Sequence, residues 1–401
     1  MNNDIYILSA VRTAIGSFGG ALAGISPTSL ATSVGKEAIK RAGITPKEVG
    51  QTVFGNVIHT EPKDMYLSRV AAISAGVSDT APALTLNRLC GSGLQAVATA
   101  SDAIALGHAE VALAGGAENM SRAGHLLTTA RFGQKMGDTI AIDMMAGALT
   151  DPFGNGHMGI TAENVAADTG ISRHDQDVAA LASHQRAQSA IENGYFKGQI
   201  LPLEITHRRK TITFDTDEHF RTDATMEDFS KLRPAFQKDG SVTAGNASGI
   251  NDGAAALVLA SGDKVARDGL TPMAKILSYG LGGVAPRVMG LGPIPAVKQA
   301  LARAGLEIDQ MDIIESNEAF AAQACAVTNE LGLDPAKVNP NGGAIALGHP
   351  IGASGAIILT KLINELHRTG GKYGLATMCI GGGQGIAMVL QSKDFNTGVT
   401  S

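Results

Sequence analysis

Cys90 lies in Asn87-Arg88-Leu89-Cys90-Gly91-Ser92-Gly93, just ahead of an expected helix. A thiol placed there faces unpaired backbone N–H groups and the positive end of a helix dipole, which favours thiolate. A buried cysteine also packs as a small apolar residue, but the Gly-x-Gly context lets a substrate or a second backbone come close and favours a nucleophile. Cys379 heads Cys379-Ile380-Gly381-Gly382-Gly383-Gln384-Gly385 at a strand end. A tight turn explains the glycines but gives no reason for the cysteine, and several unshielded N–H groups suit an oxyanion site. His349 is fixed by Gly348-His349-Pro350-Ile351-Gly352-Ala353-Ser354-Gly355, either as a satisfied loop histidine or as an imidazole that takes a thiol proton. Asn317 follows an expected strand and opens Asn317-Glu318-Ala319-Phe320, as a plain N-cap or as the holder of a water over a substrate. Cys325, mid-helix among alanines, reads as core packing.

Other chemistries find less support. Gly91-Ser92-Gly93-Leu94-Gln95-Ala96 fits a dinucleotide fingerprint with Glu110 downstream, but that acid starts the next strand instead of ending it. The 10 histidines form no H-x-x-x-H pair or Cys/His cluster, no P-loop occurs, and no metal is expected. A net charge of −5 argues against nucleic acid. Three cysteines without a C-x-x-C pair suit a reduced interior. The uncharged stretches 338–360 and 373–392 are broken by Asn339-Pro340-Asn341-Gly342-Gly343 and by the 381–385 glycines, so neither spans a membrane. Met1-Asn2-Asn3-Asp4 lacks a basic leader and Gly398-Val399-Thr400-Ser401 is no targeting tail, which makes the cytoplasm the expected location.

The elements that must position these residues repeat. Ser26 caps and Pro27 opens a helix with an apolar stripe from Leu30 to Ala42, Gly43 stops it, and the strand Thr52–Asn56 follows. About 262 residues later the pattern returns: Pro295, an apolar stripe from Val297 to Ala304, Gly305, then the strand Ile313–Glu315. In the same register Gly91-Ser92-Gly93 aligns with Ala353-Ser354-Gly355, predicting helices over 94–106 and 356–366. Each helix leads to a small-residue strand, 111–116 and 375–383, and each half closes with another, 253–261 and 384–392. Two α/β halves with mostly parallel strands follow. The halves are 1–120 with 250–270, and 271–401. The stretch 121–249 is an insertion of different texture, Met-rich and carrying His207-Arg208-Arg209-Lys210, which reads as a solvated charged face. With 50 glycines in 401 residues, aromatics at 4% and hydrophobics at 44%, the chain is globular, and much of its glycine belongs where backbones turn or approach closely.

Over nearly its whole length the sequence resembles the thiolase family. The resemblance rests on the Cys90 loop, Asn317-Glu318-Ala319-Phe320, Gly348-His349-Pro350 and Cys379-x-Gly-Gly-Gly, in that order, with His157-Met158-Gly159 and Ala244-Gly245-Asn246-Ala247-Ser248-Gly249 in the insertion. It is most similar to the short-chain biosynthetic acetyl-CoA acetyltransferases and the broad-range β-ketothiolases of polyhydroxyalkanoate synthesis. The implied fold is a duplicated α/β structure layered α-β-α-β-α with an inserted loop domain. The implied reaction is ping-pong, with coenzyme A thioesters as substrates and no cofactor. Cys90 is acylated, and His349 activates it and, with a water held by Asn317, stabilises the second thioester oxygen. Cys379 removes the α-proton of the incoming acetyl-CoA, and the N–H groups of Cys90 and Gly381 form the oxyanion hole. The resemblance further implies that His157, Arg221, Phe236 and Ser248 line the path of coenzyme A. Leu149, Met158, Met289, Ala319 and Phe320 form its apolar walls. A family serine near the adenine is Asp228 here, so that hydrogen bond is not carried over. The segment 121–143 resembles the loop that joins two dimers into a homotetramer.

Three rival readings remain at this point. A decarboxylating ketosynthase on the same fold needs no second acid/base cysteine, so Cys379 argues against it. A non-catalytic acyl-CoA carrier has no use for the full Cys90, His349, Cys379 and Asn317 set. An NAD-linked oxidoreductase rests on the glycine fingerprint alone.

Overall fold

A computed structural model describes residues 4–207 and 210–393. Arg208 and Arg209 of the basic cluster and the terminal residues 1–3 and 394–401 lie outside the described residues. The first half contains β1 (Ile5–Thr13), α1 (Pro27–Arg41), β2 (Gln51–Gly55), β3 (Ala83–Leu86), α2 (Ser92–Ala105) and β4 (Val111–Asn119). The insertion carries a hairpin of β5 (His125–Leu127) and β6 (Ala141–Asp143), then α3 (Met158–Thr169) and α4 (Arg173–Glu192). After β7 (Asn251–Ser261) the second half runs through β8 (Ala274–Gly283), α5 (Pro293–Ala304), β9 (Ile313–Ser316), α6 (Ala321–Leu331), α7 (Ile351–Thr369), β10 (Tyr373–Ile380) and β11 (Gln384–Ser392).

The caps explain the helix ends. Ser26 accepts from the Ser29 N–H, Pro27 follows, and Gly43 turns the chain away at φ +69°. Gly305, at φ +66°, ends α5 in the same manner. The strands pair in the order β9-β10-β11-β8-β1-β7-β4-β2-β3, and the halves meet where Ile5–Ile7 of β1 pair with Ala274–Ile276 of β8. α1 covers strands of the first half and α5 those of the second. α2 and α7 pack on each other between the halves, which gives the α-β-α-β-α layering. α7 is buried on nearly every side through Leu366: its first ten residues are apolar or small, and its buried Lys361 and Glu365 are paired with Glu315 and Arg368.

Two expectations are corrected. The strands are mixed instead of mostly parallel: β2 runs parallel to β3 and β4, and β9 to β10, but β7 and β11 run antiparallel to their neighbours. A turn as short as Gly381–Gly383 between β10 and β11 permits only an antiparallel return. The second central helix starts at Ile351, not at 356. Its early start is stabilised from another element. Glu118 at the end of β4 accepts the Gly352 N–H at 2.9 Å, putting an acidic acceptor on first-turn donors that have no intrahelical partner.

Where α2 and α7 cross, backbone meets backbone. A Cβ on Gly93 would lie 2.7 Å from the Ala356 nitrogen, and one on Gly355 would run into the backbone nitrogen of Leu94. Gly355→Ala is therefore expected to destabilise the fold by about 1–3 kcal/mol, the usual cost of overpacking. It should also lower activity, since both candidate loops hang from this crossing. Urea unfolding checks the first effect, and an unchanged midpoint would show that the two helices can move apart at little cost.

Candidate active site

The α2–α7 crossing sets two loops against each other. Cys90 stands two residues before α2 and His349 two residues before α7. The end of β10 adds Cys379 and the turn after it Gly381, and these four residues line one cavity of about 350 Å³, a size suited to a small-molecule site. The insertion contributes Leu149, His157, Met158, Phe236 and Ser248 to the lining, and the second half adds Met289, Ala319 and Phe320.

The loop before Cys90 is held tightly. Leu89 has φ +47°, uncommon for a branched residue. Its N–H donates to Asn87 Oδ1 at 2.8 Å, the Arg88 N–H donates to Ser92 Oγ at 2.8 Å, and the Ser92 hydroxyl donates to the Leu89 carbonyl at 2.7 Å. Backbone strain of this kind concentrates at functional sites.

Electrostatics corrects one expectation. Burial pushes the Cys90 thiol up to about 11, although the N–H groups of Gly381 and of Cys90 itself pull it down. Desolvation outweighs the helix terminus, so Cys90 rests as a thiol and needs a base. Burial pushes the Cys379 thiol higher still, and a charge on Cys90 would raise it further. His349 is buried and held down to about 4 by desolvation, so its imidazole is neutral. Its backbone N–H donates to Asn251 Oδ1 at 2.9 Å, its Nδ1 lies 2.7 Å from Ser354 Oγ, and its Nε2 has no hydrogen-bond partner among the described residues.

Residues 5–263 match the family model of the thiolase N-terminal domain, and residues 270–392 that of the thiolase C-terminal domain. The chain belongs to the thiolase family. This thiolase is 58% identical over 392 residues to beta-ketothiolase BktB of Cupriavidus necator, covering 98% of the chain and 100% of that relative. Among solved structures, the acetyl-CoA acetyltransferase of Bacillus anthracis superposes with a TM-score of 0.95 at 46% identity, over 98% of this chain and 99% of that one. Human mitochondrial 3-ketoacyl-CoA thiolase in complex with CoA gives 0.94 at 44% identity, over 97% and 98%.

Two of the expected site residues of this thiolase, Asn317 and Arg221, stand outside the main cavity. Asn317 is buried in a small adjoining cavity with Gly348 and Ser354. It caps nothing, because α6 begins at Ala321 behind Phe320. Its N–H donates to the Thr377 carbonyl at 2.9 Å, while its side-chain Oδ1 and Nδ2 find no partner among the described residues. Arg221 is exposed on the insertion, with its N–H donating to His184 Nδ1 at 3.0 Å. Asp228 is engaged locally, accepting the Thr225 N–H at 2.9 Å and hydroxyl at 2.6 Å as the capping box of the short helix Met226–Ser230.

His157 accepts the Gly159 N–H on Nδ1 at 3.1 Å and stacks on Phe236 with centroids 4.8 Å apart. A neutral ring used this way keeps its proton on Nε2 as a donor. The glycine fingerprint is accounted for by packing, and Glu110 pairs with Arg267 at 2.8 and 2.9 Å. Sequence reasoning missed Glu118. It is fully buried and accepts from Asn56 Nδ2 and the N–H groups of Val57, Ile58 and Gly352, tying the first half to the His349 loop. The one signal for it was an acid continuing the apolar strand beyond Gly116.

Proposed function

We propose that this thiolase catalyses the reversible Claisen condensation of two acetyl-CoA, or of acyl-CoA and acetyl-CoA, to a short-chain 3-ketoacyl-CoA and free CoA. The observation that carries the reading is the cavity shared by two neutral thiols, a neutral imidazole and the Cys90 and Gly381 N–H groups. His349 takes the Cys90 proton as the sulfur attacks the thioester carbonyl, and the two N–H groups receive the developing oxyanion. The proton returns from His349 to the departing CoA sulfur. With Cys90 acylated, Cys379 passes its thiol proton to His349 and, as a thiolate, takes the α-proton of a second acetyl-CoA. The enolate oxygen lies against protonated His349 and a water held by Asn317, its carbon attacks the acyl group, and the freed Cys90 sulfur takes the proton back from His349. His157, Phe236 and Ser248 line the path for pantetheine, with Leu149, Met158, Met289, Ala319 and Phe320 as its apolar walls. Arg221 serves the nucleotide end. Coenzyme A thioesters are the substrates, and no further cofactor enters the scheme. Among the described residues no helix is long and apolar enough to cross a membrane, and the cytoplasm is the proposed location. Loss of the ketoacyl absorbance on mixing acetoacetyl-CoA with CoA tests the reading, and no activity would sink it. The same assay with 3-ketovaleryl-CoA measures how broad the pocket is.

A homotetramer is proposed on a separate observation. The β5–β6 hairpin carries Phe132, Met136 and Ile140 at 93, 88 and 71% exposure, an apolar display of the kind that marks association surfaces. Light scattering is expected to give four copies, with Phe132→Asp/Met136→Asp reducing the mass to two. A wild-type dimer would refute the proposal.

A further inference from the structure

The partner of the His349 ring is a hydroxyl, and the proton on that hydroxyl is already committed. Ser354 Oγ lies 2.7 Å from His349 Nδ1 and donates to the Pro350 carbonyl at 2.9 Å. A hydroxyl has one proton to give and lone pairs left to accept, so the ring nitrogen must donate to it. We infer that Ser354 is a positioning residue that holds His349 in the tautomer with its proton on Nδ1, leaving the Nε2 lone pair open to Cys90. The inference rests on the acyl-transfer reading above.

The surroundings support this assignment. Ser354 is 3% exposed and lies in the first turns of α7, where its N–H also donates to the Pro350 carbonyl at 2.9 Å. Both donors of Ser354, its N–H and its hydroxyl, are therefore fixed to one carbonyl. The titratable groups that share the ring's cavity are the Cys90 and Cys379 thiols and His157, with Glu118 behind the Gly352 amide and the Lys361–Glu315 pair lining the small cavity on the Ser354 side. Burial alone holds the imidazole down. A carboxylate in place of Ser354 would stabilise the imidazolium and keep the proton from the departing CoA sulfur. A hydroxyl orients the ring without adding charge, so the proton accepted from Cys90 can be handed on.

Ser354→Ala removes the acceptor and frees the tautomer. In the thiolysis assay kcat is expected to fall roughly 10- to 100-fold, part of what a positioned base contributes, with KM within about twofold. Alkylation of Cys90 by iodoacetamide without substrate, followed by mass spectrometry of its peptide, should slow by a similar factor at neutral pH. Ser354→Thr keeps the hydroxyl and should restore most of both rates. Ser354→Asp raises the imidazole pKa. A base works only when unprotonated, so the acid-side fall of the alkylation rate should move to higher pH, whereas a merely structural role would lower the rate without moving that fall. A wild-type enzyme active in thiolysis whose Ser354→Ala variant keeps both rates within twofold would overturn the inference. An inactive wild type would instead overturn the reading beneath it. If Ser354→Asp does not fold, the alkylation pH profile of Ser354→Ala decides between the roles. A fall displaced from the wild type's supports the positioning role, and one that stays put overturns it.

Discussion

Cys90→Ala is expected to reduce thiolysis of acetoacetyl-CoA by roughly 10⁴-fold or more, because no other group in the cavity can carry the acyl chain. The obvious substitute, Cys379, is buried and its ionisation strongly opposed. It also sits on β10, ahead of the turn whose Gly381 N–H acts on the Cys90 sulfur. Cys90→Ser should be almost as damaging. The thiol already resists ionisation at about 11, and a hydroxyl in the same dry loop would resist it more. The direct check is the acetyl group itself. Wild-type enzyme mixed with acetyl-CoA should gain one acetyl on the peptide spanning Cys90, and Cys90→Ala should gain none there. An acetylated wild-type peptide elsewhere in the chain would move the nucleophile and undo the assignment.

The parts of the site written in consecutive residues are legible in the sequence alone. Glycines flanking Cys90, His349 and Cys379 announce loops where backbone comes close, and the internal repeat places those loops opposite one another. The crossing of α2 and α7 shows why the glycines are needed there. What stays hidden depends on partners far apart in the chain. The start of α7 depends on Glu118, more than two hundred residues upstream, which no local capping rule can supply. The state of Cys90 depends on how much water the assembled halves exclude, and burial outweighs the helix dipole that the local sequence suggests. Asn317 looks like a cap because it follows a strand, but the helix waits for Ala321 and leaves the side chain unpaired among the described residues. Strand direction is misjudged because β7 re-enters only after the insertion, and β11 returns through the three-residue turn Gly381–Gly383.

Cys379→Ser is expected to separate the two halves of the reaction: acetylation of Cys90 by acetyl-CoA within about tenfold of wild type, and condensation or thiolysis down by roughly 10²–10⁴-fold, the usual contribution of a positioned acid/base. The electrostatics gives the reason for the order of events. In the free enzyme a charge on Cys90 raises the Cys379 thiol further, and two neighbouring thiolates in a dry cavity are mutually unfavourable. Once Cys90 is a thioester it cannot ionise, and that opposition vanishes. Cys379 is thus freest to act as a base only after the acyl group is in place, which guards against forming an enolate with nothing to attack. A serine there has a hydroxyl too weakly acidic to form the needed base, so the acyl-enzyme should accumulate and be visible by mass spectrometry. A decarboxylating ketosynthase would behave otherwise, since loss of carbon dioxide creates its nucleophile without a base. Full condensation of acetyl-CoA by Cys379→Ser would therefore remove the second cysteine from the chemistry and favour that rival.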